Sequence, residues 1–220
     1  MSATSDARGF FTDRHASYAR FIKAMHYPQG LRAFWLASPL LRPGLRILEA
    51  GCGTGALTLA VWDASVRRGA TPKVLDAFDL TPAMLDRLRS TLTRRGIEGV
   101  ALREANVLHL ETLPAGWRDY DLVVTASMLE YVPRDRFVDA LVGLRTLLRP
   151  GAHLVLFITR RNPLTHVLVG RLWASNLYTR SELTEAFGRS GFSAVAFRRF
   201  PASAFYLQPW GHIVEATNPV

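Results

Sequence analysis

The chain has a single cysteine, Cys52, in 220 residues. That excludes an internal disulfide, and no His, Cys and carboxylate cluster has the spacing of a metal site. No apolar run approaches the ~20 residues needed to span a bilayer. The opening residues Met1-Ser2-Ala3-Thr4-Ser5-Asp6 lack the charged and apolar regions of a signal peptide. A cytoplasmic protein without a transmembrane segment is therefore expected. Acidic residues are scarce, with 18 Asp and Glu against 27 Lys and Arg, for a net charge of +9. Such an excess can serve nucleic acid or an anionic surface. Here the pairs Arg67-Arg68, Arg94-Arg95, Arg160-Arg161 and Arg198-Arg199 are far apart, and no run of five like charges occurs. A dispersed arginine-rich surface is favoured over a nucleic-acid groove. Repeats and low-complexity linkers are absent, and 49% hydrophobic content suits one α/β domain.

The stretch Leu45-Arg46-Ile47-Leu48-Glu49-Ala50-Gly51-Cys52-Gly53-Thr54-Gly55-Ala56 organises the rest. Its apolar start reads as a strand buried on both faces. Alternating glycines follow, then Ala56-Leu57-Thr58-Leu59-Ala60-Val61-Trp62, which reads as a helix. Strand, glycine turn and helix make half of a nucleotide-binding unit. Glycine suits a backbone with φ > 0 or one that a ligand approaches closely, and the helix start adds free N–H groups. Cys52 fits the loop by its small size. No His or Lys neighbours it to make it a nucleophile.

Two patterns fit this spacing. Gly51, Gly53 and Ala56 satisfy the dinucleotide fingerprint. Glu49, Gly51, Gly53 and Gly55 satisfy acid-x-G-x-G-x-G, and so resemble the first motif of class I S-adenosylmethionine-dependent methyltransferases. The resemblance implies that Glu49 faces the cationic methionine end of the ligand, where a pyrophosphate would be repelled. Asp79 ends the next strand, Lys73 to Asp79, and leads through Leu80 and the capping pair Thr81-Pro82 into a helix. Asp79-Leu80-Thr81-Pro82-Ala83-Met84-Leu85 resembles the second motif of the same family, in which the acid receives both ribose hydroxyls. After a third strand, Val100 to Ala105, Asn106 stands where the family usually has an acid for the adenine amino group. Its amide oxygen can still accept, with Val107 and Leu108 flanking the ring. A fourth strand, Tyr120 to Ala126, delivers Ser127-Met128-Leu129-Glu130-Tyr131-Val132-Pro133. This resembles the fourth motif and is nearest to the quinone-biosynthesis group, with Tyr131 where a His is usual. Tyr131 would orient the acceptor or offer π density to the methyl.

Phe10 to Met25 has Tyr18, Phe21, Ile22 and Met25 on one helical face, and Pro28 and Gly30 break it. A second helical stretch runs from Leu31 to Leu41. By resemblance, residues 1–44 form lid helices over the cofactor, with Tyr18 contacting it. Arg134 to Leu148 reads as a helix, Arg149 to Ala152 as a tight turn, and His153 to Thr159 as the fifth strand of a core spanning 45–159. Residues 160–178 read as an amphipathic cap over the acceptor pocket, with His166 and Trp173 positioned to line it. Thr179-Arg180-Ser181-Glu182 is a capping box. Phe192 to Phe200 and Tyr206 to Ala216 read as two β runs that close the 179–220 segment.

The resemblance covers about residues 45–216. It implies a Rossmann-like, seven-stranded, mostly parallel sheet with helices on both faces and a C-terminal antiparallel hairpin. It implies methyl transfer from S-adenosylmethionine to a small, partly apolar acceptor, leaving S-adenosylhomocysteine. A base is useful if that acceptor is a hydroxyl or a protonated amine. His15, His26, His166 and Glu130 are the candidates, and Tyr131 joins them as a catalytic residue. An RNA or protein methyltransferase, an NAD(P)-dependent oxidoreductase and a non-catalytic S-adenosylmethionine-binding protein remain alternatives. A monomer or a homodimer is expected.

Overall fold

The computed structural model describes residues 22–170 and 175–220. Strands β1 (Arg46–Ala50), β2 (Val74–Asp79), β3 (Val100–Glu104), β4 (Tyr120–Ala126), β5 (Leu148–Thr159), β6 (Ser193–Arg198) and β7 (Gly211–Thr217) form one sheet. Its order is β3-β2-β1-β4-β5-β7-β6. The first five strands pair in parallel, and β7 runs antiparallel to both β5 and β6. The sheet is therefore as the motifs led us to expect. The chain order reverses between β1 and β4, and an open parallel sheet binds ligands beyond its strand ends at such a switch.

Among the described residues, five helices of ten or more residues cover the sheet: α1 (Tyr27–Ala37), α2 (Ala56–Arg67), α3 (Pro82–Arg94), α4 (Phe137–Thr146) and α5 (Arg180–Arg189). Successive strand side chains alternate between two cores. Leu48, Val123, Leu154 and Leu156 pack with Leu141 and Leu144 of α4 and Leu183 and Phe187 of α5. Ile47, Leu122, Val124, Val155 and Phe157 pack with Phe34 and Trp35 of α1 and Leu57 and Val61 of α2. A third cluster joins Leu85, Leu88 and Leu92 of α3 to Ala77 and Leu102. With both faces covered, the central strands read as unbroken apolar runs rather than alternating ones.

Several boundaries differ from the sequence reading. Pro28 and Gly30 do not precede a helix starting at Leu31; they lie in the first turn of α1. Proline is tolerated there because that turn has no N–H bond to lose. Gly30 is small because a Cβ would come within 2.0 Å of Leu207 Cδ1. Arg134–Arg136 is a single 3₁₀ turn, α4 starts at Phe137, and β5 begins already at Leu148. Arg149 to Gly151 therefore belong to the β5 edge rather than a free turn, where Gly151 N–H donates to the Asn218 carbonyl. The cap segment forms one helical turn at Pro163–Thr165, closed by an Asn162 capping box, and a π turn at His166–Gly170. Leu164, Val167 and Leu168 are exposed on it. Ala202–Leu207 is 3₁₀, so the last strand starts at Gly211 and not at Tyr206. The capping box at Thr179 and Glu182 is present. The helix read for 10–25 lies almost wholly outside the described residues. No helix among those described is long and apolar enough to cross a membrane.

Candidate functional site

The ends of β1, β2 and β4 open into a cleft. Its rim is the glycine loop. Gly51 N–H and Cys52 N–H both donate to the Phe78 carbonyl, at 2.8 and 3.0 Å, which folds the loop against β2. Gly51 has φ 72°, and a Cβ there would sit 2.2 Å from Met128 Cγ. Only glycine meets both demands. Gly53 has φ 51° and no protein atom within 4 Å of where a Cβ would stand. The space beside it opens into the cleft.

Asp79 joins the loop to the next helix. Its Oδ2 accepts from Gly53 N–H at 2.8 Å and its Oδ1 from Thr81 N–H at 2.9 Å. Burial nevertheless raises its carboxyl above the usual range, with those N–H donors opposing. Glu49, at the floor, is 1% exposed, and its Oε2 has no hydrogen-bond partner. Burial pushes Glu49 up to about 8; the Thr58 hydroxyl draws it down and Asp79 adds to the rise. A buried carboxyl with an unsatisfied oxygen beside a second carboxyl is a site prepared for a cation. Cys52 lines the same cleft at 4% exposure, and burial raises its thiol well above the usual range. It has no thiolate character for a nucleophile.

Of the residues singled out in the sequence, Glu49, Gly51, Cys52, Gly53, Asp79, Leu80, Asn106, Val107, Ser127 and Tyr131 all line this cleft. Asn106 Oδ1 already accepts from Leu108 N–H at 3.0 Å, as a turn residue does, and one lone pair is left. Gly55 does not line it. It precedes α2 with φ 95°, and a Cβ would meet Leu88 Cδ1 at 2.3 Å. Tyr27, Leu31, Thr54 and Met84 line the cleft without having been foreseen. Their only signal was position near a motif.

A second chamber adjoins the first, and Ile22, Tyr27 and Ser127 line both. Its walls come from the end of β5, the 3₁₀ turn at 202–207, the start of β7 and Val169 of the cap. Ser127 sits at the junction with φ 51°, a left-handed conformation rare for a non-glycine residue and frequent at functional sites. Glu130 lines this second chamber, not the first. His166 lines neither and is exposed on the π turn, which removes it as a candidate base. His26 is likewise exposed and outside both. His15, Tyr18 and Trp173 lie outside the described residues. His212, buried at the start of β7, lines the second chamber and was not singled out.

Residues 47–151 match the model of the family described as methyltransferase domain. Over that stretch the chain is similar to the methyltransferase domain family. Among curated relatives, the ubiquinone biosynthesis O-methyltransferase of Azotobacter vinelandii is 30% identical over 146 residues, covering 66% of this chain and 58% of that protein. Its Acinetobacter baumannii counterpart is 27% identical over 158 residues, covering 70% and 60%. The polyketide synthase component of compactin nonaketide synthase from Penicillium citrinum is 28% identical over 83% of this chain but only 6% of its own length. The chain thus spans about 60% or less of these relatives. Magnesium protoporphyrin IX methyltransferase from Synechocystis PCC 6803, crystallised with bound SAM, superposes with TM-score 0.67 at 15% identity. It covers 99% of this chain and 97% of that one. An O-methyltransferase family protein from Burkholderia thailandensis superposes with TM-score 0.75 at 15% identity, covering 96% and 61%. The matched domain and the surrounding fold therefore agree with the family resemblance of the sequence.

Proposed function

We propose that the chain transfers a methyl group from S-adenosylmethionine to a small, partly apolar acceptor. The observation that carries this is Glu49. Its buried, unpartnered Oε2 fits a cationic ligand and opposes a pyrophosphate, so it favours S-adenosylmethionine over NAD(P) in the same glycine cradle. In this reading Glu49 neutralises the methionine end and the open space beside Gly53 admits the ligand backbone. Asp79 accepts from the ribose hydroxyls, and Val107 and Leu108 flank the base. S-adenosylmethionine brings an electrophilic methyl on a sulfonium, so no protein nucleophile is required. The protein orients the acceptor, excludes water and gives a proton somewhere to go.

The adjoining second chamber is the acceptor's place in this account. Phe157, Phe200, Leu207 and Trp210 make it apolar, and Val169 supports a capping role for 160–178. The relatives named for ubiquinone biosynthesis act on small molecules, which is consistent with such a chamber. The test incubates the purified protein with methyl-labelled S-adenosylmethionine and separate lipophilic small-molecule, RNA and protein fractions of a bacterial extract. Label in the small-molecule fraction is expected. Label confined to RNA or protein refutes the acceptor class while sparing the cofactor.

A further inference from the structure

Among the described residues, one buried acid in the second chamber is not accounted for by packing alone. The short turn Leu129–Tyr131 straddles the two cavities: Tyr131 lines the cofactor cleft and Glu130 lines the chamber beside it. Glu130 is 1% exposed. Its Oε2 accepts from Thr159 N–H and its Oε1 from the Thr159 hydroxyl, both at 3.0 Å. No ion pair holds it among the described residues. Each carboxylate oxygen keeps a second lone pair. Around it the apolar part of the lining is Phe157, Ile158, Phe200, Leu207 and Trp210. A buried carboxylate without a cationic partner is costly, so a neutral form or an incoming donor is favoured.

We propose that Glu130 takes the proton released when a hydroxyl of the acceptor is methylated, and that the acceptor is an uncharged, largely apolar molecule presenting that hydroxyl in the second chamber. This rests on the methyl-transfer reading above. In the step, the sulfonium S–CH₃ bond breaks and its electron pair stays on sulfur. A hydroxyl lone pair forms the new C–O bond, and the hydroxyl proton passes to the Glu130 carboxylate. Sulfonium and carboxylate charges vanish together, leaving a neutral thioether, ether and carboxylic acid. A low-dielectric chamber favours that cancellation. A single acid also suits a hydroxyl, which has one proton to lose, better than an ammonium, which must lose one before it can attack at all.

The other titratable groups around the chamber are consistent with this role. Burial, with the Arg160 charge, pushes His212 down to about 4, so it is neutral at physiological pH. Burial pushes the Tyr178 hydroxyl up to about 12, with the Arg134 charge opposing and the Glu130 charge adding, so it stays protonated. Tyr27 is a phenol. Burial lifts Glu130 to about 7 against the two Thr159 donors, and a general base works best with its pKa near the operating pH.

The test needs no turnover. Protein saturated with S-adenosylhomocysteine is titrated calorimetrically with 2-naphthol, 2-methoxynaphthalene and 2-naphthylmethylamine between pH 6 and 8.5. A hydrogen bond to a carboxylate predicts that 2-naphthol binds roughly tenfold tighter than the methoxy compound at pH 8. The advantage shrinks as pH falls through 7. Glu130→Gln abolishes both the preference and its pH dependence with S-adenosylhomocysteine affinity unchanged. Gln retains an oxygen for Thr159 N–H and a donor for its hydroxyl, so a purely bracing role would survive the exchange. Equal binding of the naphthyl ether and the naphthol, a preference that E130Q keeps, tighter binding of the amine, or no probe binding at all overturns the inference. Loss of S-adenosylhomocysteine binding in the parent protein brings down the cofactor reading first, and is seen before any probe is added.

Discussion

Glu49 offers a prediction that is independent of the acceptor. Its carboxyl is pushed from an ordinary 4.5 to about 8 in the ligand-free protein, so at pH 7 about nine in ten molecules hold the proton. A ligand that brings an ammonium group to the unpartnered Oε2 makes the ionised form the favoured one. Binding of S-adenosylhomocysteine at pH 7 should then release close to one proton. Restoring Glu49 to its ordinary value corresponds to on the order of 5 kcal/mol of coupling between cation and carboxylate, an upper bound because part of the ligand charge stays solvated. The assay is calorimetry at pH 7 in phosphate and in Tris, whose ionisation heats differ. The two apparent enthalpies should differ by about one proton's worth, and in Glu49→Gln they should coincide. The same carboxyl sets the stability of the free protein. Between pH 4.5 and 8 the folded state holds a proton that the unfolded state has lost, so stability falls as pH rises. Glu49→Gln should flatten that decline. Proton release near zero in the parent protein, or unchanged in the variant, refutes the role given to Glu49.

Two further substitutions separate packing from ligand space. Gly51→Ala meets both a left-handed φ and Met128, so it should lose about 2–4 kcal/mol of stability, read as a lowered midpoint in urea. Gly53→Ala meets only the φ cost, about 1 kcal/mol, yet should weaken S-adenosylhomocysteine more than its stability loss suggests; unchanged affinity refutes the cradle. Tyr120→Phe removes the 2.6 Å bond from the tyrosine hydroxyl to Asp76 Oδ2 and should cost about 1–3 kcal/mol, a thermal midpoint lower by a few degrees, with S-adenosylhomocysteine affinity intact.

The cofactor cleft was legible because its chemistry is local. Glu49, Gly51 and Gly53 follow one another at a single strand end, and Asp79 and Ser127 are the residues at the ends of strands that parallel pairing places beside it. Gly55 abuts Leu88 of another helix and does not line the cleft, a placement that looks in sequence like that of a glycine beside a ligand. Pro28 and Gly30 looked like breakers because a proline at a first helical turn and a glycine pressed against Leu207 have the same composition as a loop. The second chamber was out of reach. Phe157, Phe200, Leu207 and His212 meet only when β7 inserts beside β5, and no periodicity announces that. His166 fitted the chemistry wanted but faces solvent, since the cap forms only a turn and a π turn there.

The central claim is that the glycine cleft takes S-adenosylmethionine. Calorimetric titration of the purified protein with S-adenosylhomocysteine, NAD and NADP in parallel tests it most directly. The account predicts micromolar binding of S-adenosylhomocysteine alone, abolished by Asp79→Ala in protein that remains folded. Binding of NAD or NADP in its place, or binding of S-adenosylhomocysteine that Asp79→Ala leaves untouched, contradicts it.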